Sequence, residues 1–230
     1  MGIREDRIFI SKALTLAEAG KGAVSPNPKV GCVLVKNGKI IGEGYHKKFG
    51  GKHAEVVAIQ NAGSGLAGST AYINLEPCCT EGKTPPCTKT LIENKIKKVV
   101  ISMLDPNPKI NGKGVQELKK NGIEVLSGIF EIQARELNKG FIKWITKGIP
   151  WVIGKAAQSF NGYLGMDSSS QTRITNQQCK EDVHRLRSGV DCVLVGRQTI
   201  LTDDPELTVR DIIGRSPKRA VLDSRLSLTP

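Results

Sequence analysis

Apolar positions recur at helical spacing over residues 6–19, where Ile10, Leu14 and Ala17 share one face and Gly20 supplies a stop. The pattern then changes period. Val30 to Val35 is a continuous apolar run of strand length, Asn37-Gly38 is a two-residue hairpin signal, and Ile40 to Tyr45 reads as the returning strand. From there helices and strands alternate: a helix over His53 to Ala62 ending before Gly63, a strand over Thr70 to Leu75, and a helix over Cys87 to Lys95. A strand over Val99 to Met103, a helix over 113–121 and a strand over Ile123 to Leu126 follow. A hairpin followed by such alternation predicts a mixed sheet covered by helices.

A helix over about 130–147 closes this first part, and Gly148-Ile149-Pro150 breaks it. Beyond it, Trp151 to Ala157 reads as a new strand, Asn161-Gly162 as a turn and Ser168 to Gln171 as polar loop. Residues 177–187 read as a helix, and Cys192 to Val195 and Ala220 to Leu222 as strands. The pattern sets two domains, 1–148 and 149–230, and the second reads as incomplete because so short a domain struggles to bury enough surface.

Composition bounds the function. At 230 residues, with 24% charged and 39% hydrophobic positions, the chain suits a globular protein with a sizeable core. No apolar run has the length to cross a bilayer and the start lacks a secretory pattern, so the expected compartment is the cytoplasm. There, six cysteines suit metal binding or core packing better than disulfides. The net charge of +12 is uneven: residues 1–148 hold 23 Lys and Arg against 13 Asp and Glu, and residues 149–230 hold 11 against 9. A basic domain attracts nucleic acid or a small phosphorylated substrate, or is simply a lysine-rich solvated surface. Aromatic residues at 4% argue against a platform for stacking bases of a single strand.

The chemistry concentrates in His53-Ala54-Glu55, Leu75-Glu76-Pro77-Cys78 and Thr84-Pro85-Pro86-Cys87. A catalytic zinc takes three protein ligands and leaves a position for water. Zinc deaminases of nucleobases use a His/Cys/Cys zinc with a separate proton-moving Glu, in the pattern His-x-Glu then Pro-Cys-x-x-Cys. This chain keeps the first half, but eight residues separate Cys78 from Cys87. His53 and Glu55, two apart, lie about 200° apart around a helix, so they share a site only at its first turn. Gly50-Gly51 lets the backbone approach there. Pro85-Pro86 places Cys87 at another helix start, where partial positive charge favours thiolates. Any one of these residues alone would more often be structural; the four in order point to zinc held by His53, Cys78 and Cys87, with Glu55 moving protons between water and a departing amine. Cys79, adjacent to a ligand, reads as a bystander, and Cys32, Cys179 and Cys192 as core thiols.

Further motifs carry a resemblance. Asn27-Pro28-Lys29-Val30-Gly31, Gly44-Tyr45-His46, Gly82-Lys83-Thr84-Pro85-Pro86-Cys87 and Asp105-Pro106-Asn107-Pro108, with the zinc motifs, resemble the deaminase half of the bifunctional riboflavin-biosynthesis (RibD) family. The insert between the thiols is the most specific. The similarity continues through Leu137 to Phe141 and covers nearly the whole chain. It implies an α/β fold: a cytidine-deaminase-like mixed sheet with helices on both faces, followed by part of a dihydrofolate-reductase-like α/β domain. It implies hydrolysis of the 2-amino group of a diaminopyrimidinone carrying a ribosylamino 5′-phosphate. His53, Cys78 and Cys87 would be the zinc ligands, Glu55 and Lys83 catalytic, and Asn27, His46, Asp105 and Asn107 would line the substrate pocket.

Downstream, Lys155 to Gly162, Arg173 to Asn176, Leu186-Arg187 and the run from Thr199 to Arg210 resemble the family's NADPH-dependent reductase, which reduces the ribose to ribitol. Ala157, Arg173, Thr199, Asp203 and Ser224 would meet NADP, and Gln171, Arg187, Leu207 and Arg210 the substrate. Asn161 and Arg173 depart from the residues common in the family, and the family's reductase half runs well beyond Pro230. The expectation is deaminase chemistry in this chain, with reductase turnover belonging to the complete protein. The expected partner is a small phosphorylated pyrimidine, with neither nucleic acid nor membrane, and a homo-oligomer is left open. Two rivals stand beside this reading: a zinc deaminase of another nucleoside or of transfer-RNA adenosine, and a zinc-stabilised nucleic-acid-binding module with a closed four-ligand site.

Overall fold

Asn37 and Gly38 both adopt positive φ, 51° and 75°, as a type I′ hairpin turn requires. They join β1 (Gly31–Lys36) to β2 (Lys39–Tyr45) in antiparallel register. The computed structural model describes residues 2–81, 85–165 and 173–228, and divides into two units, Met1–Trp151 and Val152–Pro230.

In the first unit, α1 (Ile3–Glu18) precedes the hairpin. It starts three residues before the expected position because the Glu5 carboxylate reaches back to accept from the Gly2 N–H at 3.3 Å. Then come α2 (Ala54–Ala62), β3 (Thr70–Leu75), α3 (Cys87–Glu93), β4 (Lys98–Met103), α4 (Lys113–Lys120) and β5 (Glu124–Ser127). The sheet order is β2-β1-β3-β4-β5, with β1 antiparallel to β2 and β3, and β3, β4 and β5 parallel. One face packs Val33, Val35, Tyr72 and Val100 under Ile10 and Ala13 of α1. The other packs Cys32, Leu34, Ile73 and Ile101 against Ala54 and Ala58 of α2, Leu91 of α3 and Leu118 of α4. The expected mixed sheet with helices on both faces is what forms.

The single helix expected over 130–147 is two, α5 (Glu131–Leu137) and α6 (Lys139–Lys147). Asn138 between them is buried, its φ is −110°, and its side chain grips the backbone of Lys29: Oδ1 accepts from the Lys29 N–H at 2.8 Å and Nδ2 donates to the Lys29 carbonyl at 3.0 Å. That long-range clamp outweighs helical continuity. Gly148, at φ 69°, ends α6 as its sequence predicts.

The second unit opens irregularly, and the strand expected over Trp151 to Ala157 does not form. Val152 is 76% exposed, and among the described residues no neighbouring strand takes up its backbone. The turn at Asn161-Gly162 forms, with the Gly162 N–H donating to the Ser159 carbonyl. Gln171 and the rest of the polar loop at 168–171 lie outside the described residues. The unit continues with α7 (Gln177–Ser188), β6 (Cys192–Gly196), α8 (Arg197–Asp203) and β7 (Lys218–Leu222), with β6 and β7 parallel. The helix α8 follows β6 directly and has no counterpart in the apolar pattern. Cys32 is buried as expected, but Cys179 and Cys192 are exposed: Cys179 sits in the first turn of α7, and Cys192 falls on the exposed phase of the alternating strand β6. No helix among the described residues is long and apolar enough to cross a membrane.

What brings α2 close to the hairpin is the lack of side chains on β2. A Cβ on Gly44 would lie 2.5 Å from both the Ala54 carbonyl oxygen and the Ala58 nitrogen, and one on Gly42 would lie 2.3 Å from the Ala58 carbonyl oxygen. Gly44→Ala is therefore expected to destabilise the first unit by about 1–3 kcal/mol through overpacking, read as a lower midpoint in urea at an unchanged slope.

Candidate zinc and substrate site

Three ligand-bearing residues arrive from three elements. His53 is the N-cap of α2, Cys78 follows the end of β3, and Cys87 is the first residue of α3 behind Pro86, which occupies the N-cap rather than the first helical position. Gly50 turns the chain ahead of His53 with φ at 74°. His53 Nδ1 lies 3.2 Å from Cys87 Sγ and 3.5 Å from Cys78 Sγ, and the three ligand atoms all fall within 4.8 Å of one another. Zinc bonds of about 2.0–2.3 Å in a tetrahedron set nitrogen and sulfur ligands about 3.6 Å apart. The donor set and spacing therefore fit zinc. Cys79 does not join the cluster.

The site's electrostatics also fit a cation. Cys78 is drawn down to about 4, chiefly because the Cys87 thiol hydrogen-bonds to it; burial opposes this and His53 adds to it. Cys87 is pushed far up, first by holding that shared proton and then by burial. The Cys87 N–H also donates to Cys78 Sγ at 3.4 Å, and the Thr88 hydroxyl and N–H both donate to the Cys78 carbonyl. The positive end of α3 thus faces the sulfurs.

Glu55, in the first turn of α2, is buried beside the cluster. Burial pushes its carboxyl above the usual carboxylate range and negative Cys78 adds to this, while His53 and the Cys87 thiol pull it back. Behind it, burial holds the Cys32 thiol protonated.

Of the expected substrate residues, Asn27 and His46 connect to His53, while Asp105 and Asn107 connect to each other. His46 stacks edge-on to His53 with ring centroids 5.5 Å apart. Its Nδ1 lies 3.0 Å from the Lys52 carbonyl, which accepts and so assigns the proton to Nδ1, leaving Nε2 to accept from the Asn27 amide at 3.2 Å. Asn27 is held from behind, since Asn74 in β3 accepts from the Gly31 N–H at 2.8 Å and donates to the Lys29 carbonyl at 3.0 Å, beside the Asn138 clamp. Asp105 is buried past the end of β4 and accepts from the Asn107 N–H at 2.8 Å. Lys83 lies outside the described residues.

Sequence reasoning missed the residue that ties these parts together. Glu76 is 3% exposed, and its carboxylate accepts from three backbone N–H groups, those of Asp105 at 3.0 Å, Gly112 at 2.9 Å and Val115 at 3.0 Å. The available signal was its position: Asn74 in β3 and Glu76 just past its end are polar residues in a stretch buried from Ala71 to Glu76.

In the second unit, Arg187, Leu207 and Arg210 gather on one segment. Arg187 donates to the Thr208 carbonyl at 3.2 Å, and Arg210 pairs with Glu206 at 3.1 Å. Leu207 is buried with φ at 56°. Beneath them, buried His184 accepts from the Arg210 N–H and faces Asp211. Thr199 and Asp203 lie on α8, which starts at the carboxyl end of β6, and Ser224 follows the carboxyl end of the parallel strand β7; open α/β sheets bind ligands at such strand ends. Ala157 sits in the irregular stretch and Arg173 is exposed ahead of α7.

The fold and the ligand triad define a zinc-binding unit of the cytidine-deaminase class. Residues 3–103 match the family model for the cytidine and deoxycytidylate deaminase zinc-binding region, and residues 150–230 match that for the RibD C-terminal domain. The riboflavin biosynthesis protein RibD of Aquifex aeolicus is 46% identical over 228 residues, covering 98% of this chain and 64% of that protein. Among solved structures, RibD of Acinetobacter baumannii superposes with a TM-score of 0.94 at 43% identity, covering 99% of this chain and 66% of the other. A diaminohydroxyphosphoribosylaminopyrimidine deaminase/5-amino-6-(5-phosphoribosylamino)uracil reductase of Thermotoga maritima gives 0.92 at 43% identity, covering 96% and 64%. The chain belongs to the RibD family over the length it spans, which is about two thirds of these relatives.

Asp105 yields a pH-dependent expectation. Burial, with Glu76 and Cys78 nearby, raises its carboxyl to about 6, the Asn107 N–H opposing. A carboxyl raised on folding binds its proton more tightly in the native state, so its ionisation costs stability as pH rises through 6. The cost is about 3 kcal/mol at neutral pH. Asp105→Asn keeps the acceptor and should raise the melting temperature of the metal-stripped chain at pH 8. The gain should shrink as pH falls below 6 and vanish near 3.8. A gain independent of pH would contradict this account.

Proposed function

We propose that this chain releases ammonia hydrolytically from a diaminopyrimidinone carrying a ribosylamino 5′-phosphate, the deaminase step of riboflavin biosynthesis. The observation that carries the reading is the buried Glu55 carboxyl set beside three convergent zinc-ligand atoms. When bound by His53, Cys78 and Cys87, zinc supplies Lewis-acid activation of water. Water adds to the ring carbon bearing the amino group, and the carbon–nitrogen bond breaks. Glu55 takes a proton from the attacking water and delivers it to the departing nitrogen. A carboxyl raised by burial suits both halves of that transfer. Asn27, whose amide donates to the unprotonated Nε2 of His46, presents its amide oxygen to the pyrimidine edge, and Asp105 and Asn107 also bind the substrate. Lys83 completes the proposed catalytic set by neutralising charge as the proton moves. The sites' three ligands, rather than four, support an enzyme over a closed structural zinc module. The chain's excess of positive charge suits a phosphorylated substrate.

Glu55→Gln tests the mechanism. With one zinc per chain in both proteins, ammonia release should fall by about 10²–10⁴-fold, and equal rates would overturn it. Running the unaltered chain on pyrimidine ribosides with and without the 5′-phosphate identifies the substrate class.

For the second unit, the proposed reading is NADPH binding at the carboxyl ends of β6 and β7, by Ala157, Arg173, Thr199, Asp203 and Ser224. The sugar phosphate of the product would be held by Gln171, Arg187, Leu207 and Arg210. Calorimetric titration of NADPH should show binding that weakens in Thr199→Val. Equal affinity in the two proteins counts against that pocket.

A further inference from the structure

Glu76 stands two residues before Cys78, and its carboxylate accepts from backbone N–H groups of the segment that begins at Asp105. The Oε2 atom accepts from the N–H of Asp105 and of Gly112, and Oε1 accepts from the N–H of Val115 in the first turn of α4. Its own N–H donates to the Met103 carbonyl at 3.0 Å, continuing the β3–β4 ladder. The helix comes this close only because residue 114 is glycine. A Cβ there would lie 2.3 Å from the Pro77 carbonyl oxygen and 3.2 Å from Glu76 Oε1. The segment is then ordered outward: Asp105 accepts from the Asn107 N–H at 2.8 Å, and Asn107 accepts from the Lys109 N–H at 3.1 Å.

We infer that Glu76 is a positioning residue for the deaminase, which fixes Asp105 and Asn107 at a set distance from the metal ligand Cys78 and so sets how tightly substrate binds. The inference rests on the deaminase reading. The geometry is economical. One strand end, Leu75-Glu76-Pro77-Cys78, supplies a ligand to the metal side and an anchor to the pocket side, so the two cannot drift apart. Three donors aimed at one carboxylate also make the requirement specific. A glutamine of the same shape must turn an amide N–H₂ towards at least one N–H group, and loses that acceptor.

The experiment is a kinetic cycle on the zinc-loaded chain with Glu76→Gln, Asp105→Asn and the double variant. Glu76→Gln should retain one zinc per chain. It should lose kcat/KM on the order of a hundredfold, carried by KM with kcat nearly unchanged. In the Asp105→Asn background the same change should cost less than about threefold, because the residue acts through Asp105. Gly114→Ala strikes the same contact from the helix side and serves if Glu76→Gln does not fold; it should raise KM with zinc retained. Losses that add in the double variant, or a fall in kcat or zinc content at constant KM, overturn the role of Glu76 while leaving the deaminase reading in place. No ammonia from the unaltered chain overturns both.

Discussion

The closeness of α2 to the β1–β2 hairpin is the constraint on which the site depends. Gly42 and Gly44 present bare backbone to the helix, so its axis lies nearer the strand than any side chain permits. That seating fixes the helix start, and with it His53 as the cap and Glu55 in the first turn. A helix held further out would still be a helix, with its apolar face covered. It would no longer bring an imidazole to within 3.5 Å of thiols carried by the segment after β3 and by α3. Backbone proximity thus does for this site what a longer ligand side chain could not, because it leaves no slack.

The strand β3 and the residue that follows it are the second organising device. The strand is central and buried on both faces, yet its end carries Asn74 and Glu76. Each is satisfied by backbone groups of a neighbouring segment: Asn74 by Lys29–Gly31, Glu76 by Asp105–Val115. Burying such groups is costly without partners, and with partners it specifies one arrangement of the loops. The polar residues at the sheet's end hold loop backbone in place, on the segments that carry Asn27 and Asp105.

The legible part of the molecule was local. The Asn-Gly turn, strand β3 and the placing of His53, Glu55 and Cys87 at helix starts follow from neighbours a few residues away, and the structure has them where the pattern puts them. What was illegible depended on distant partners. The break between α5 and α6 is caused by a backbone segment 109 residues away. The apolar run at 151–157 has strand-forming residues, but strandness is a property of a pair. Cys179 and Cys192 looked like core thiols because cysteine usually is one, and only the packing of α7 and β6 shows that they face outward. Glu76 carries no role of its own in the motif as a sequence, since nothing beside it in the chain says that its bonds reach residues 105–115.

The clamp made by Asn138 has a consequence for where this unit ends. The stretch that resembles other zinc deaminases stops at residue 103 and contains the His53, Glu55, Cys78 and Cys87 constellation. Two hydrogen bonds from Asn138 nevertheless close on Lys29, at the base of the Asn27 loop. Shared ancestry and mechanical sufficiency therefore draw different borders. A piece cut at the first border would inherit the complete metal-binding vocabulary and lack the latch that holds the Lys29 backbone.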